Sequence, residues 1–455
     1  MSPMTVVPLT RAELTRRGVI GASSAPVRII HLGVGHFFRA HQAWYTARAA
    51  DASDWGIAAF AGRNRAAVDG LDRQDGLYCV VERAASGDTV DIVTSIAHAL
   101  AGDDVEQLVA FAIDPAVAIV TLTVTESGYR LRPDGAPNLE DPGVGADLAD
   151  LAGGAPAVRT VLGRLVTILA ARRSADAGPI AVVSCDNIPH NGRFVERGVR
   201  EFATFVDPAL DAWIAANVSF VDTSVDRITP HGVDTPLAVT DAGWIDEAAV
   251  VTEPFADWVL AGDFPAGRPA WETAGARFVD DIEPWENRKL WLLNGAHTLL
   301  TVAGLPRGLS TVDEAIADPE CRALVERYWE EAVACLPPGT EHVDYRAQLL
   351  DRFANPRIVH RLEQIAADTT VKVQFRFAPV AERRLSEGWD LTASARAFAA
   401  WVDWSRTSDP SADSRAEAVR AAHASPDPVA SLIGLVSSTL ALSPSFVDAV
   451  RASLA

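Results

Sequence analysis

Val27-Arg-Ile-Ile-His-Leu-Gly-Val-Gly-His-Phe-Phe-Arg39 is the stretch that decides the fold. Its first six residues form a short run rich in apolar and β-branched side chains, which predicts a strand. Gly33 and Gly35 interrupt it at once, and a helical stretch follows from Arg39 to Ala50. A second strand, Trp55 to Ala61, stops at Gly62. Strand, glycine turn, helix and strand in that order are the βαβ unit of a parallel sheet.

Working outward, Leu77–Arg83 and Thr89–Ile96 read as two strands joined by a hairpin turn at Ser86-Gly-Asp88. Ala116–Val124 is nearly unbroken apolar sequence, the pattern of a strand covered on both faces, and Ile180–Ser184 is a second such strand. Between them, residues 128–156 are rich in Gly, Pro and Asp and predict a long loop, followed by a helix over Val158–Arg173. From Pro284 onward helical periodicity dominates. The expectation is an α/β chain of two domains, residues 1–275 and a mostly helical 276–455.

Composition narrows the function. The chain has 455 residues, 49% hydrophobic and 22% charged, the balance of a globular protein. Sixty acidic against 40 basic residues give a formal charge of −20, which repels phosphate backbones; nucleic-acid binding is not expected. No apolar stretch is long enough to span a bilayer, and the N-terminus lacks the apolar core of a signal peptide. Cys79, Cys185, Cys321 and Cys335 lie far apart, with no zinc-like spacing. A cytoplasmic, metal-independent monomer is expected.

Two clusters carry chemistry. In Gly33-Val-Gly35 the glycines suit a tight turn and close approach of a dinucleotide pyrophosphate, although Phe38 stands at the third glycine position. Thr125-Glu126 and Asp186-Asn187 follow buried strands, where α/β sheets bind ligands. In Lys289-Leu-Trp-Leu-Leu-Asn-Gly-Ala-His297, α-helical geometry puts Asn294 about 140° and His297 about 80° from Lys289, with Glu286 at about 60°. A face carrying an amine, an amide, an imidazole and a carboxylate inside an apolar helix points to a site, since Asn and Gly weaken a helix they do not serve.

Gly33-Val-Gly35 with Arg39-Ala-His41, Thr123-Val-Thr-Glu126, Cys185-Asp-Asn187, Val225-Asp-Arg-Ile-Thr-Pro230 and Lys289-x-x-x-x-Asn294-x-x-His297 together resemble the mannitol dehydrogenase family of polyol-specific long-chain dehydrogenases. Glu253-Pro-Phe255 and Arg352-Phe-Ala-Asn-Pro356 extend the likeness. The resemblance implies a Rossmann-type N-terminal domain, a helical C-terminal domain and metal-independent hydride transfer between NAD(P) and a polyol or ketose. It implies Lys289 as general base, Asn187 and Asn294 as donors to the reacting oxygen, and His297 and Asp226 on substrate hydroxyls. Glu286 would pass the proton outward, and Gly33, Gly35, Phe37, Arg39, Thr125 and Glu126 would hold the cofactor. Lys372 and Gln364 would contact substrate. Gln364 stands where mannitol-type members carry Arg, so a hexuronate reductase is the runner-up. A redox-inactive dinucleotide sensor is the reading from another class, and the intact Lys289, Asn294, Asn187 and His297 argue against it. The second strand ends at Arg63-Asn-Arg65 with no acid before Asp69. That predicts NADP use through Arg63; stacking of Arg63 on adenine with Asn64 on the ribose would instead admit NAD.

Overall fold

The computed structural model describes residues 6–19, 23–62, 65–156, 159–230, 236–408 and 412–454. The chain divides into two compact units, residues 1–282 and 283–455.

The first unit is built on an eight-stranded sheet. Its strands are β1 (Val27–Leu32), β2 (Gly56–Phe60), β3 (Ile96–Leu100), β4 (Ile119–Leu122), β5 (Ile180–Ser184), β6 (Val218–Asp226), β7 (Asp257–Ala261) and β8 (Arg277–Phe278). They lie in the order β8-β7-β6-β5-β4-β1-β2-β3. The six strands β3-β2-β1-β4-β5-β6 are parallel, in the doubly wound order of dinucleotide-binding folds. β7 then runs antiparallel to β6.

Side-chain alternation explains why the sheet is covered twice. Ile29, Ile57, Ile119 and Val183 join one buried core, while Ile30, Leu32, Val120, Leu122 and Val182 join the other. A strand apolar on both faces cannot be left facing water, so helices cover each side. Register then aligns the strand ends: Leu32 pairs with Phe60 and with Leu122, and Leu122 pairs with Ser184. The residues just beyond, Gly33, Thr123 and Cys185, therefore emerge side by side at the carboxyl edge.

Several expectations are corrected. The two strands expected as a hairpin, now Tyr78–Ala84 and Gly87–Val93, do pair antiparallel, but in a separate three-stranded sheet with Val250–Thr252. Ile96 does not end the second of them; it begins β3, the edge of the main sheet. The expected loop over 128–156 holds a helix, Pro142–Ala152, capped by Asp141, whose carboxylate accepts the Gly143 amide at 2.9 Å. Asp before Pro is an N-cap followed by a first helical residue, a signal outweighed by the Gly and Pro content around it. The helix expected over Arg39–Ala50 is two, His36–Ala40 and Gln42–Arg48, broken at His41.

The second unit is helical. Helix Gly295–Gly304 is buried along its whole length, so it forms the axis on which Pro319–Ala334 and Thr392–Thr407 pack. Among the described residues no helix is long and apolar enough to cross a membrane. Among them, no group of three or more His, Cys, Asp or Glu side chains is arranged to hold a metal, and all four cysteines are buried free thiols.

At the end of β1 two residues fix the turn. Gly33 has φ +108°, and a Cβ there would collide with the Thr123 carbonyl. His31 is fully buried and stacks on Phe38, ring centroids 3.5 Å apart. Its Nε2 donates to the Gly33 carbonyl at 2.8 Å, so Nδ1 accepts the Thr121 hydroxyl, also at 2.8 Å. Phe38 thus fills the third glycine position with a ring that packs on the histidine.

Gly33→Ala should cost at least about 2 kcal/mol, because it adds a backbone collision to a left-handed φ. Urea unfolding of parent and variant measures it, and an unchanged midpoint would contradict this role for Gly33. Burial pushes the His31 imidazole down to about 3. The unfolded chain therefore binds the extra proton, and stability is full above pH 6.5 and falls as the pH drops from there toward 3. Between pH 6.5 and pH 5 this residue alone should remove about 2 kcal/mol. A His31→Asn variant should show a shallower loss over the same interval, and identical slopes would refute the assignment.

Candidate functional site

In the N-terminal unit the glycine turn and the ends of β4 and β5 form one edge. An added Cβ on Gly35 or on Gly62 would meet nothing within 4 Å, so the backbone after β1 and after β2 is approachable. Together with the tight turn at Gly33, this fits a dinucleotide lying along the edge. Arg39 is buried, and its guanidinium bonds the Ala248 carbonyl and, at 3.3 Å, that of Gly35. It holds the turn from behind. Phe37 is half-buried and stacks on His41 at 4.8 Å. Arg63 and Asn64 lie outside the described residues; Arg65 is exposed, 4.0 Å from Asp69.

The end of β4 is held by Asp186, a buried carboxylate that follows β5. Its Oδ1 accepts the amides of Val124 at 2.9 Å and Thr125 at 2.8 Å, and its Oδ2 accepts the Tyr129 hydroxyl at 2.7 Å. Burial raises the carboxyl above its usual range, against the pull of those three donors. Thr125 has φ +68°, a left-handed conformation costly for a β-branched residue. Thr125, Glu126 and Asn187 are all exposed at this edge. Asn191 buries its amide against the carbonyls of Asp186 and Thr223, each at 2.9 Å, and ties β5 to β6.

β6 ends at Asp226, buried and paired in register with Asp257, which forms an ion pair with Arg277. The next residue, Arg227, explains much of the Val225-Asp-Arg-Ile-Thr-Pro230 block. It is buried, donates to the Ala40 carbonyl and to Glu82, each at 2.6 Å, and sits 4.4 Å from the Trp44 ring centroid. A buried cation persists only with such partners.

In the C-terminal unit, Glu286 is half-buried on the helix Glu283–Arg288. The next six residues, Lys289–Asn294, are not α-helical; they form a π turn. The angles expected for an α-helix therefore do not apply between Lys289 and Asn294. A π turn closes from residue i to i+5, so residues five apart come toward one line. Lys289 and Asn294 stand five apart. Side chains hold the widened turn: the Trp329 indole donates to the Leu292 carbonyl at 2.8 Å, and Arg376 donates to the Asn294 carbonyl at 3.0 Å. A Cβ on Gly295 would come within 3.1 Å of Tyr328, so the chain packs closely where the turn ends.

One helical turn beyond Asn294, His297 is buried with its Nε2 unpartnered. Its ring lies 4.9 Å from those of Phe353 and His360. Burial, and then the charges of His360, Arg352, Arg376 and Lys372, push it well below the usual imidazole range, so it is neutral at pH 7. An orphaned buried nitrogen in a neutral ring is suited to a ligand hydroxyl. Lys372 donates to the carbonyls of Ile365 at 2.8 Å and Ala367 at 2.5 Å. Arg376 is pushed down by burial to about 10 and stays charged. Gln364 is exposed. His360 and Arg376 were not singled out by the sequence; Asp186 was, as a residue at the ligand-binding end of a buried strand.

Residues 27–273 match the mannitol dehydrogenase Rossmann domain, and residues 281–455 match the mannitol dehydrogenase C-terminal domain. A D-mannonate oxidoreductase of Escherichia coli (strain K12) is 35% identical over 395 residues, covering 84% of this chain and 80% of the relative. A polyol:NADP oxidoreductase of Gluconobacter oxydans (strain 621H) is 35% identical, with the same coverage of both chains. Among solved structures, the Pseudomonas fluorescens mannitol 2-dehydrogenase ternary complex with NAD and D-mannitol is 32% identical. That match covers 100% of this chain and 94% of the other, with a TM-score of 0.75. The chain belongs to the mannitol dehydrogenase family of oxidoreductases.

Proposed function

We propose that this protein is a metal-independent NAD(P)-dependent dehydrogenase that oxidises a secondary hydroxyl of a sugar alcohol of the mannitol or arabinitol class to a ketose. The π turn Lys289–Asn294, followed by a neutral buried His297, carries the reading. Lys289 takes the hydroxyl proton. The amides of Asn294 and Asn187 donate to the oxygen as alkoxide character develops, a contribution made in the transition state. His297 offers its unpartnered Nε2 to a neighbouring hydroxyl, with Asp226 and Lys372 on others. Glu286, one helical turn before Lys289, relays the proton outward. The bound nicotinamide supplies the hydride acceptor; Gly33, Gly35, Thr125 and Glu126 hold the cofactor, and Phe37 and Arg39 shape its turn.

The cations around His297 favour a second reading. Arg352, Lys372 and Arg376 all depress that imidazole, and such a group suits a substrate carboxylate. The similarity to a D-mannonate oxidoreductase agrees with it. This reading is a hexuronate reductase that runs the same proton steps in reverse.

Absorbance at 340 nm with mannitol, arabinitol, sorbitol, fructose, fructuronate and tagaturonate decides between them. Turnover of the neutral compounds supports the first reading, turnover confined to uronates the second, and no turnover refutes both. Lys289→Ala should lower kcat by about 10²–10⁴-fold, the usual contribution of a general base, with cofactor affinity unchanged. A variant retaining more than about a tenth of parent turnover removes Lys289 from that role. We also propose that NADP is accepted at least as well as NAD, through Arg63. Arg63→Glu should then shift kcat/KM strongly toward NAD, and a parent preference for NAD above about 100-fold, about 2.7 kcal/mol, would overturn this.

A further inference from the structure

We infer that Asp186 is the positioning residue that ties the cofactor side of the site to its substrate side. The inference rests on the dehydrogenase reading and extends it to a residue that touches neither ligand.

The carboxylate belongs to the turn after β5, one residue before Asn187, yet it spends its hydrogen bonds on the turn after β4. Oδ1 takes two successive amides, Val124 and Thr125, and Oδ2 takes Tyr129. Two consecutive N–H groups can converge on one oxygen only if the chain curls around it. Directly after the two bonded amides, Thr125 is held at φ +68°. That conformation is costly for a β-branched residue, and the bond from the Thr125 amide to Asp186 anchors the chain where it occurs. The backbone of Asp186 is held just as firmly, because its carbonyl accepts the buried Asn191 amide at 2.9 Å. Asp186 therefore has a fixed main chain and a side chain that fixes Thr125. The Tyr129 hydroxyl, buried between Asp186 and Ser184 at 2.9 Å from the Ser184 Oγ, closes the other side of the carboxylate.

A buried carboxylate here is costly unless all its lone pairs are used, and a neutral amide would satisfy two donors more cheaply. Asp in this position gains charge-assisted bonds to both amides, which shorten and stiffen the link. Any displacement of the β4 turn is passed to the residue beside Asn187, and the reverse. The fixed quantity is the spacing between a backbone that meets the cofactor and an amide that meets the reacting oxygen.

The test uses the full-length protein with Asp186→Ala, Asp186→Asn and Asn187→Ala, reading NADPH and NADH dissociation constants by fluorescence, and kcat and KM with the best substrate of the panel. Asp186→Ala should weaken cofactor binding and lower kcat together, each by about tenfold or more. Asp186→Asn keeps one oxygen for the two amides and should give a joint loss of about threefold to tenfold, a partial rescue. Asn187→Ala should lower kcat with the cofactor constant unchanged. Should the alanine variant fail to fold, the Asn variant alone decides, since it keeps the shape of the side chain. Losses confined to one of the two constants, or Asp186 variants within twofold of the parent in both, overturn the inference while leaving the dehydrogenase reading intact. A parent that turns over no substrate refutes that reading, and the Asn187 half of this inference with it.

Discussion

Where β1 and β4 end, two backbones approach so closely that no side chain fits between them. A Cβ on Gly33 would collide with the Thr123 carbonyl, and the Gly33 carbonyl in turn accepts from both the His31 ring and the Thr123 hydroxyl, at 2.8 and 2.7 Å. This contact sets the carboxyl edge on which everything else is hung. It explains how the fold manages without the third glycine of the usual fingerprint. That glycine normally lets helix and strand come close. Here Phe38 stands at that position, and its ring stacks on the buried His31 at an interplanar angle of 8°. The ring at this position packs against an imidazole that burial keeps neutral.

The C-terminal unit solves a related problem with a π turn. A backbone closed from i to i+5 leaves poorer helical bonding, so it survives where other groups take up its carbonyls. Trp329 and Arg376 do so for Leu292 and Asn294. The reward is positional: Lys289 and Asn294, five residues apart, come toward one line, which an α-helix would deny them. His297, in regular helix beyond the turn, keeps its place on the buried side. The same Arg376 that holds the Asn294 carbonyl also helps keep His297 neutral, so one cation serves both the shape of the turn and the protonation state next to it.

Patterns that depend on burial were legible in the sequence. Ile180–Ser184 has the same limits in the structure because both of its faces are apolar and its ends are polar, and Val27–Leu32 is equally plain. What was not legible depends on partners distant in sequence. Nothing near Lys289 reveals that Trp329 and Arg376 will widen its turn. Nothing around Asp186 shows that its carboxylate reaches back 62 residues to Val124. Nothing around Arg39 shows that its guanidinium reaches the Ala248 carbonyl. The helix Pro142–Ala152 is different: its cap, Asp141, stands in the sequence amid a Gly- and Pro-rich composition that reads as loop. Local chemistry was the better guide there.

Charge distribution sharpens what the second unit can bind. The chain as a whole is acidic, with a formal charge of −20, which disfavours anions at long range. That field is screened over about 8 Å at physiological salt, whereas charges beside a buried group are screened much less. Around His297 the order is reversed: Arg352, Lys372 and Arg376 all act on one buried ring. Lys372 already gives two hydrogen bonds to backbone carbonyls, leaving one donor of three, and Arg376 is committed to the Asn294 carbonyl and the Thr298 hydroxyl. The cluster therefore offers a positive potential, with part of its donors already committed to holding the turn. A hydroxyl-rich neutral ligand needs donors and acceptors in number, and here it finds the acceptor capacity of a neutral His297. A carboxylate needs potential first, and would find it without displacing the bonds that hold the turn.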